Sequence, residues 1–358
     1  MHLRAAVLFF AAIAQGLALT GVAAPASAAA SNSVVIDDGE ARAALAILAD
    51  EKAGRAATSD EWNQLFATAG YRRLKQREAE FKRAFSDDDF RKFLSDPKQI
   101  AMAGQLQATL SAWRAKDLSE MEARAQAYLP DGSGLRATIY PLVKPRTNSF
   151  VYQLDTDPAI MLYLDPAMTA DQFSNTVSHE LLHVGDAENC PPPDVAADEK
   201  SFTPRQKAFN EWLSAFGEGW AVLAAAGGPN VDPHWEDSQR DRDRWNAQMA
   251  TFDSDFQGLQ TFFRSIMTGK LEGDAIASKG FTYFGDYQGP WYTVGYRMDV
   301  TIEHQFGRPA LVAALCDKRK YLRTYNDAAR RQNESAAVTL PLWDADVADF
   351  LSPHPPQR

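Results

Sequence analysis

"NTVSHELLHVGDA", residues 175–187, sets His179 and His183 four apart with Glu180 between them. Positions four apart share one face of an α-helix, so both imidazoles can aim at a single point. Val177, Leu181 and Leu182 give the same segment an apolar face that packs into a core. Such a helix carries either two hydrogen-bonded core histidines or half of a metal site. The chain has only six histidines in 358 residues, which makes this spacing a poor candidate for coincidence.

Neutral imidazoles at this spacing suit zinc, which takes nitrogen and oxygen ligands in a tetrahedron. A catalytic ion needs three protein ligands and leaves the fourth position to water. The metzincin pattern wants glycine three residues, and a third histidine six residues, after the second histidine. Asp186 and Asn189 stand there, which excludes that class. The third ligand is then expected to be a carboxylate from Asp186, Glu188, Glu199, Glu211, Glu218 or Glu236. Glu218 is favoured because "LSAFGEGWAVLAAAGG" (213–228) surrounds it with apolar residues. A carboxylate buried there needs a cation or donors to offset its desolvation. Gly217 and Gly219 on either side weaken a helix by about 1 kcal/mol each and suggest close backbone approach. Glu211, seven residues earlier, is a candidate to hold an imidazole from behind.

Working outward, Thr169 and Gln172 form a capping box that opens the histidine helix. Before it, "LRATIYPLV", "SFVYQLD" and "AIMLYLD" read as short strands separated by turn residues, so a small sheet is expected. Residues 37–128 read as helical, with Thr58 and Glu61 capping one long helix through "WNQLFATAGYRRLKQREAEFKRAF". Downstream, Trp245, Met249, Phe252, Phe256, Leu259, Phe263 and Ile266 step by fours and threes. They predict one core-facing helix closed by Gly269. After the aromatic loop "FTYFGDYQGPWY", Pro290 starts a helix that runs to about Phe306 and stops at Gly307. The fold class expected is α+β, predominantly helical. The expected organisation is a signal peptide (1–28), a helical N-terminal region (29–130), a catalytic region (131–350) and a disordered tail (351–358).

Arg4 is the only charge in the first thirty residues; an apolar run follows it and ends at an Ala26-x-Ala28 cleavage pattern. That reads as a secretory signal, placing the protein in the periplasm or outside the cell with no membrane span after signal removal. The formal charge of −10 opposes binding to nucleic acid or anionic lipid. Cys190 and Cys316 are the only cysteines, and a disulfide and two buried thiols are both open readings.

The pair His179-Glu180-Leu181-Leu182-His183 and Gly217-Glu218-Gly219-Trp220-Ala221, some 35 residues on, resembles the glutamate-ligand zincins, the gluzincins. "GPWYTVGYRMDVTIEHQFGRPALVAALCDKRKYLRTYN" (289–326) is similar to the C-terminal block of a little-characterised family of zinc-dependent peptidases in that clan, and "EWNQLFATAGYRRLKQRE" (61–78) shares its character. The interval from His183 to Glu218 is longer than in the best-known gluzincins and is filled by "PPPDVAADEKSFTPRQ". The resemblance implies a helix-rich zincin-like metalloprotease fold and hydrolysis of peptide or protein substrates.

A single Zn2+ held by His179, His183 and Glu218 would acidify a water and polarise a carbonyl. Glu180, beside both ligands but not one of them, is the expected general base. Tyr292 is the expected donor to the oxyanion, with Tyr296, four residues on, as the alternative. His234 and His304 are expected at the surface or in caps, and Phe281, Tyr283, Phe284 and Trp291 are candidates to line a substrate cleft. Two other readings use the same residues: a zinc hydrolase of non-peptide amides, and an inactive zincin-like secreted binding protein. The presence of Glu180 argues against the second.

Overall fold

The computed structural model describes residues 33–285, 287–335 and 338–352. The signal peptide expected over residues 1–28 and the tail from 353 lie outside the described residues. The chain order is β1 (Ser33–Ile36), α1 (Gly39–Lys52), α2 (Ser59–Ala67), α3 (Ala69–Glu80), α4 (Asp87–Leu94), α5 (Pro97–Arg114) and α6 (Leu118–Gln126). The strands β2 (Arg136–Leu142), β3 (Phe150–Tyr152) and β4 (Ala159–Tyr163) follow, then α7 (Ala170–Asn189), α8 (Pro193–Glu199), α9 (Pro204–Leu213) and α10 (Gly217–Ala226). The remainder is α11 (Gln239–Met249), α12 (Phe252–Met267), α13 (Asp274–Phe281), α14 (Pro290–Phe306), α15 (Arg308–Cys316), α16 (Lys318–Asn333) and α17 (Ala345–Ala348). The fold is α+β and predominantly helical, as expected. Among the described residues no helix is long and apolar enough to cross a membrane.

The described residues fall into two compact units, one within Met1–Leu118 and Asp131–Ala170, the other within Ser119–Pro130 and Asp171–Arg358. The first contains a four-stranded sheet in the order β1-β2-β4-β3, in which β1, β2 and β4 run parallel and β3 is antiparallel. The central strands β2 and β4 are almost wholly buried, as continuous apolar runs in parallel sheets are. The three downstream strands lie where turn signals placed them. "SVVI" was not anticipated as β1: four residues with Val35 exposed are too short for alternation to register.

Thr58 and Glu61 form the expected capping box, but the long helix it was to open breaks at Thr68. Thr68 adopts extended backbone (ψ 148°) and accepts a hydrogen bond from Tyr71 N–H, capping α3 anew. A threonine hydroxyl that bonds local backbone competes with helix continuation.

Glu40, in the first turn of α1, is buried with one oxygen accepting from Val143 N–H at 2.9 Å. Burial pushes its carboxyl from 4.5 up to about 8, against the opposing pull of Val143 N–H and Lys144. Between those values the folded chain keeps a proton that the unfolded chain has released. Stability therefore falls as pH rises through that window, by about 1.4 kcal/mol per pH unit for one proton. Lys144, pushed by burial from 10.5 down to about 7, acts in the opposite sense at higher pH. Glu40→Gln keeps the Val143 bond and is expected to flatten the profile. Urea unfolding at pH 5 and pH 8 should show wild type losing a few kcal/mol more than the variant. Parallel profiles would mean Glu40 is ionised in the fold.

In the second unit α14 is the central helix, packed by α10, α12, α15 and α16. The stripe from Trp245 to Ile266 faces the core as expected, but on two helices rather than one. The chain leaves α11 after Met249 and re-enters helix at Phe252. At the break the Thr251 hydroxyl donates to Asp255 at 2.7 Å and packs back on Gln248 O at 2.8 Å, a local alternative to the helix ladder. Gly269 (φ 73°) follows the second helix. Cys190 and Cys316 form a disulfide that joins the end of α7 to the end of α15 across 126 residues.

Candidate metal centre

Helix α7 begins at Ala170, directly after Thr169. Val177, Leu181 and Leu182 are fully buried, which fixes the rotation of the helix and turns His179 and His183 to the same side. Glu218 enters from the first turn of α10, where the positive end of the helix dipole favours a carboxylate. Its position depends on a backbone-to-backbone crossing of α10 and α14. A Cβ on Gly219 would lie 2.1 Å from Tyr296 N, and one on Gly295 3.0 Å from Phe216 O. Gly219 thus has the close approach its sequence suggested, whereas Gly217 faces open space. One turn before Gly295 on α14, Tyr292 is carried to the Glu218 carboxylate and hydrogen-bonds it.

The three candidate ligands converge. His183 Nε2 is 3.2 Å from His179 Nε2, and Glu218 Oε2 is 3.3 Å from His179 Nε2 and 3.5 Å from His183 Nε2. Zinc bonds of about 2.0–2.1 Å at tetrahedral angles set ligand atoms about 3.3 Å apart, so this triangle has the dimensions of a zinc site. His183 and Glu218 are buried and His179 keeps a small exposed edge, as an ion open to solvent on one side requires. The donor set itself, two imidazoles and a carboxylate, suits zinc. Glu218 Oε1 is buried and makes no hydrogen bond, so proton sharing with protein groups does not fully satisfy this carboxylate.

Electrostatics separates the two glutamates. Burial opposes the charge on Glu218, but the adjoining His183 and His179 outweigh it and hold the carboxyl at about 2. Burial raises Glu180 above the usual carboxylate range, with the two imidazoles only partly offsetting it. Glu180 Oε2 is buried and makes no hydrogen bond. One carboxylate is thus poised to remain an anion and the other to exchange a proton. Burial and the neighbouring Glu218 raise the Tyr292 phenol well above its usual value, so it stays a donor. Its ring lies parallel to that of His179 with centroids 6.3 Å apart.

Other sequence candidates are placed elsewhere. Tyr296 packs edge-on against Trp245 at 5.5 Å, so Tyr292 rather than Tyr296 faces Glu218. Glu211 is exposed on α9 and does not back an imidazole. Asp186 is one turn beyond His183 on α7, and Asp186, Glu188, Glu199 and Glu236 are not among the converging ligands. Further along α14, Asp299 accepts from the Tyr321 hydroxyl at 2.7 Å and Glu303 from the Tyr128 hydroxyl at 2.8 Å, which gives both acids a structural role. His304 is exposed as expected. His234 is not: it is buried, with Nδ1 2.6 Å from Asp237 and its ring on Trp245. Nothing in "PNVDPHWEDS" distinguishes that burial from a surface turn.

The family model described as "Putative zinc dependent peptidase (DUF5700)" matches residues 62–334. The chain belongs to this family. The match runs from α2 to the end of α16 and so contains all three converging ligands, Glu180 and Tyr292. No curated protein and no solved structure matches the chain. Membership in this family agrees with the resemblance drawn from the histidine and Gly-Glu-Gly-Trp motifs.

Proposed function

We propose that this chain is an exported zinc-dependent metallopeptidase that hydrolyses peptide bonds with one ion held by His179, His183 and Glu218. The observation that carries the reading is the triangle of Nε2, Nε2 and Oε2 atoms, 3.2–3.5 Å on each side, with a buried glutamate next to it. When bound, zinc supplies an acidified water and a polarised substrate carbonyl. Glu180 takes the proton of the attacking water on its carboxylate and returns it to the leaving amine. His179 and His183 hold their nitrogens on one side because α7 is locked by its apolar face. The Tyr292 hydroxyl donates to the oxygen that gains negative charge as the carbonyl is attacked. The formal charge of −10 makes nucleic acid an unfavourable partner. The Ala26-x-Ala28 pattern and the Cys190–Cys316 disulfide both support an oxidising compartment, periplasmic or extracellular.

The test is hydrolysis of casein or a peptide library by the purified protein. Cleavage should vanish with a chelator and return with zinc; chelator-resistant cleavage would contradict the reading. Tyr292→Phe is expected to lower kcat about 100-fold or more with KM little changed at saturating zinc. An unchanged kcat would remove Tyr292 from the reaction.

A further inference from the structure

The segment from Gly280 to Trp291 leads from α13 into α14 beside the metal centre. Two of its aromatic side chains are used inward: Tyr283 donates its hydroxyl to Gly258 O at 3.0 Å, and the fully buried Trp291 donates Nε1–H to Gly280 O at 3.0 Å. Phe281 and Phe284 are used inward only in part: Phe281 meets Trp212 edge-on at 5.4 Å, and Phe284 lies 6.4 Å from Trp291. Phe281 is 37 % exposed, Phe284 is half-buried, and their rings are 6.1 Å apart. Phe284 meets the Tyr292 ring edge-on at 6.3 Å, and Tyr292 in turn lies parallel to His179. A line of rings therefore runs from a candidate ligand to solvent.

The backbone is closely packed at Gly280 and at Gly289. Gly280 lies against Trp212, where a Cβ would fall 2.4 Å from the indole, and a Cβ on Gly289 would fall 2.4 Å from Tyr283 O. Gly289 N–H closes the turn on Phe284 O at 2.9 Å, and Gly285 takes φ 64° within it. The neighbouring core buries Phe262, Phe263 and Trp291 completely, so this unit is able to bury aromatic rings. Phe281 at the end of α13 and Phe284 in the turn that follows are partly exposed, and Phe284 adjoins Tyr292, so the two rings form an apolar platform beside the candidate site.

We infer that Phe281 and Phe284 form the subsite that receives a bulky apolar side chain of the peptide, leucine or phenylalanine in kind, flanking the bond to be cut. This rests on the peptidase reading. Removing such a side chain from water onto the platform favours it over alanine by about 10–100-fold in kcat/KM.

The experiment digests a peptide mixture with the zinc-loaded full chain and maps the cut sites by mass spectrometry. Matched peptides with leucine or alanine at the enriched position then give kcat/KM. The expected result is enrichment of large apolar residues at one flanking position. Phe284→Ala and, independently, the more exposed Phe281→Ala should reduce leucine-over-alanine discrimination at least about 5-fold, chiefly through KM, with zinc stoichiometry unchanged. Cleavage without apolar preference, or a preference that neither substitution alters, overturns this inference and leaves the peptidase reading standing. Absence of any chelator-sensitive cleavage overturns both.

Discussion

Glu180→Gln is expected to lower kcat/KM by about 10³-fold while the protein still binds one zinc ion. The amide keeps the size and shape of the carboxyl, so α7 and its two imidazoles need not move. What it loses is the ability to accept a proton from water and pass it to a leaving amine. The position suits that work: the side chain is 1 % exposed, Oε2 makes no hydrogen bond, and burial raises its proton affinity. A carboxyl with raised pKa holds a proton more readily at neutral pH than an exposed one, as a shuttle between water and amine requires. Turnover within about 10-fold of wild type would be too small a loss for a general base. Some other group would then have to move the proton.

Gly219→Ala should be the most damaging substitution that changes no chemical group. Its new methyl would meet Tyr296 N at 2.1 Å and the Gly295 carbonyl carbon at 2.4 Å, and both are backbone atoms that no rotamer change can move. The two helices would have to part by more than an ångström, against the packing of α14 on its other neighbours. We expect a loss of at least about 3 kcal/mol in unfolding free energy, at the upper end for overpacking. Zinc affinity should fall with it, because the same crossing brings Glu218 and Tyr292 together. Gly217→Ala is the control: apart from its chain neighbours and its own helix backbone, nothing lies within 4 Å of a Cβ there, so no clash and little change in stability are expected. Equal stability of the two variants in urea would show that the crossing does not hold the site.

The site was more legible than the chain path. His179, Glu180 and His183 announce themselves because the spacing of ligands on one helix is a local property. Glu218 could be chosen from six acids because its neighbours are apolar, and a buried carboxylate demands a counter-charge. Tyr292 and Tyr296 could not be separated by spacing, since both are four-residue neighbours on one helix. The contact of Gly295 with Gly219 sets Tyr292 rather than Tyr296 against Glu218, and that contact is tertiary. Glu211 failed as a candidate because heptad spacing assumes one helix, and the chain passes through a 3-10 turn at Ser214–Phe216 before α10 begins. The breaks at Thr68 and Thr251 escaped for a related reason. An apolar stripe keeps its phase across a short break, so periodicity reads two helices as one, whereas the hydroxyls that make the break are common within helices too.

If two imidazoles and one distant carboxylate hold a single divalent ion, removing the carboxylate must weaken it. Zinc affinity of the wild-type protein and of Glu218→Ala is measured by competition with a chromophoric chelator. One tight site per wild-type chain is expected, with binding at least about 100-fold weaker in the variant. Equal affinity in the two proteins would remove Glu218 from the ligand set.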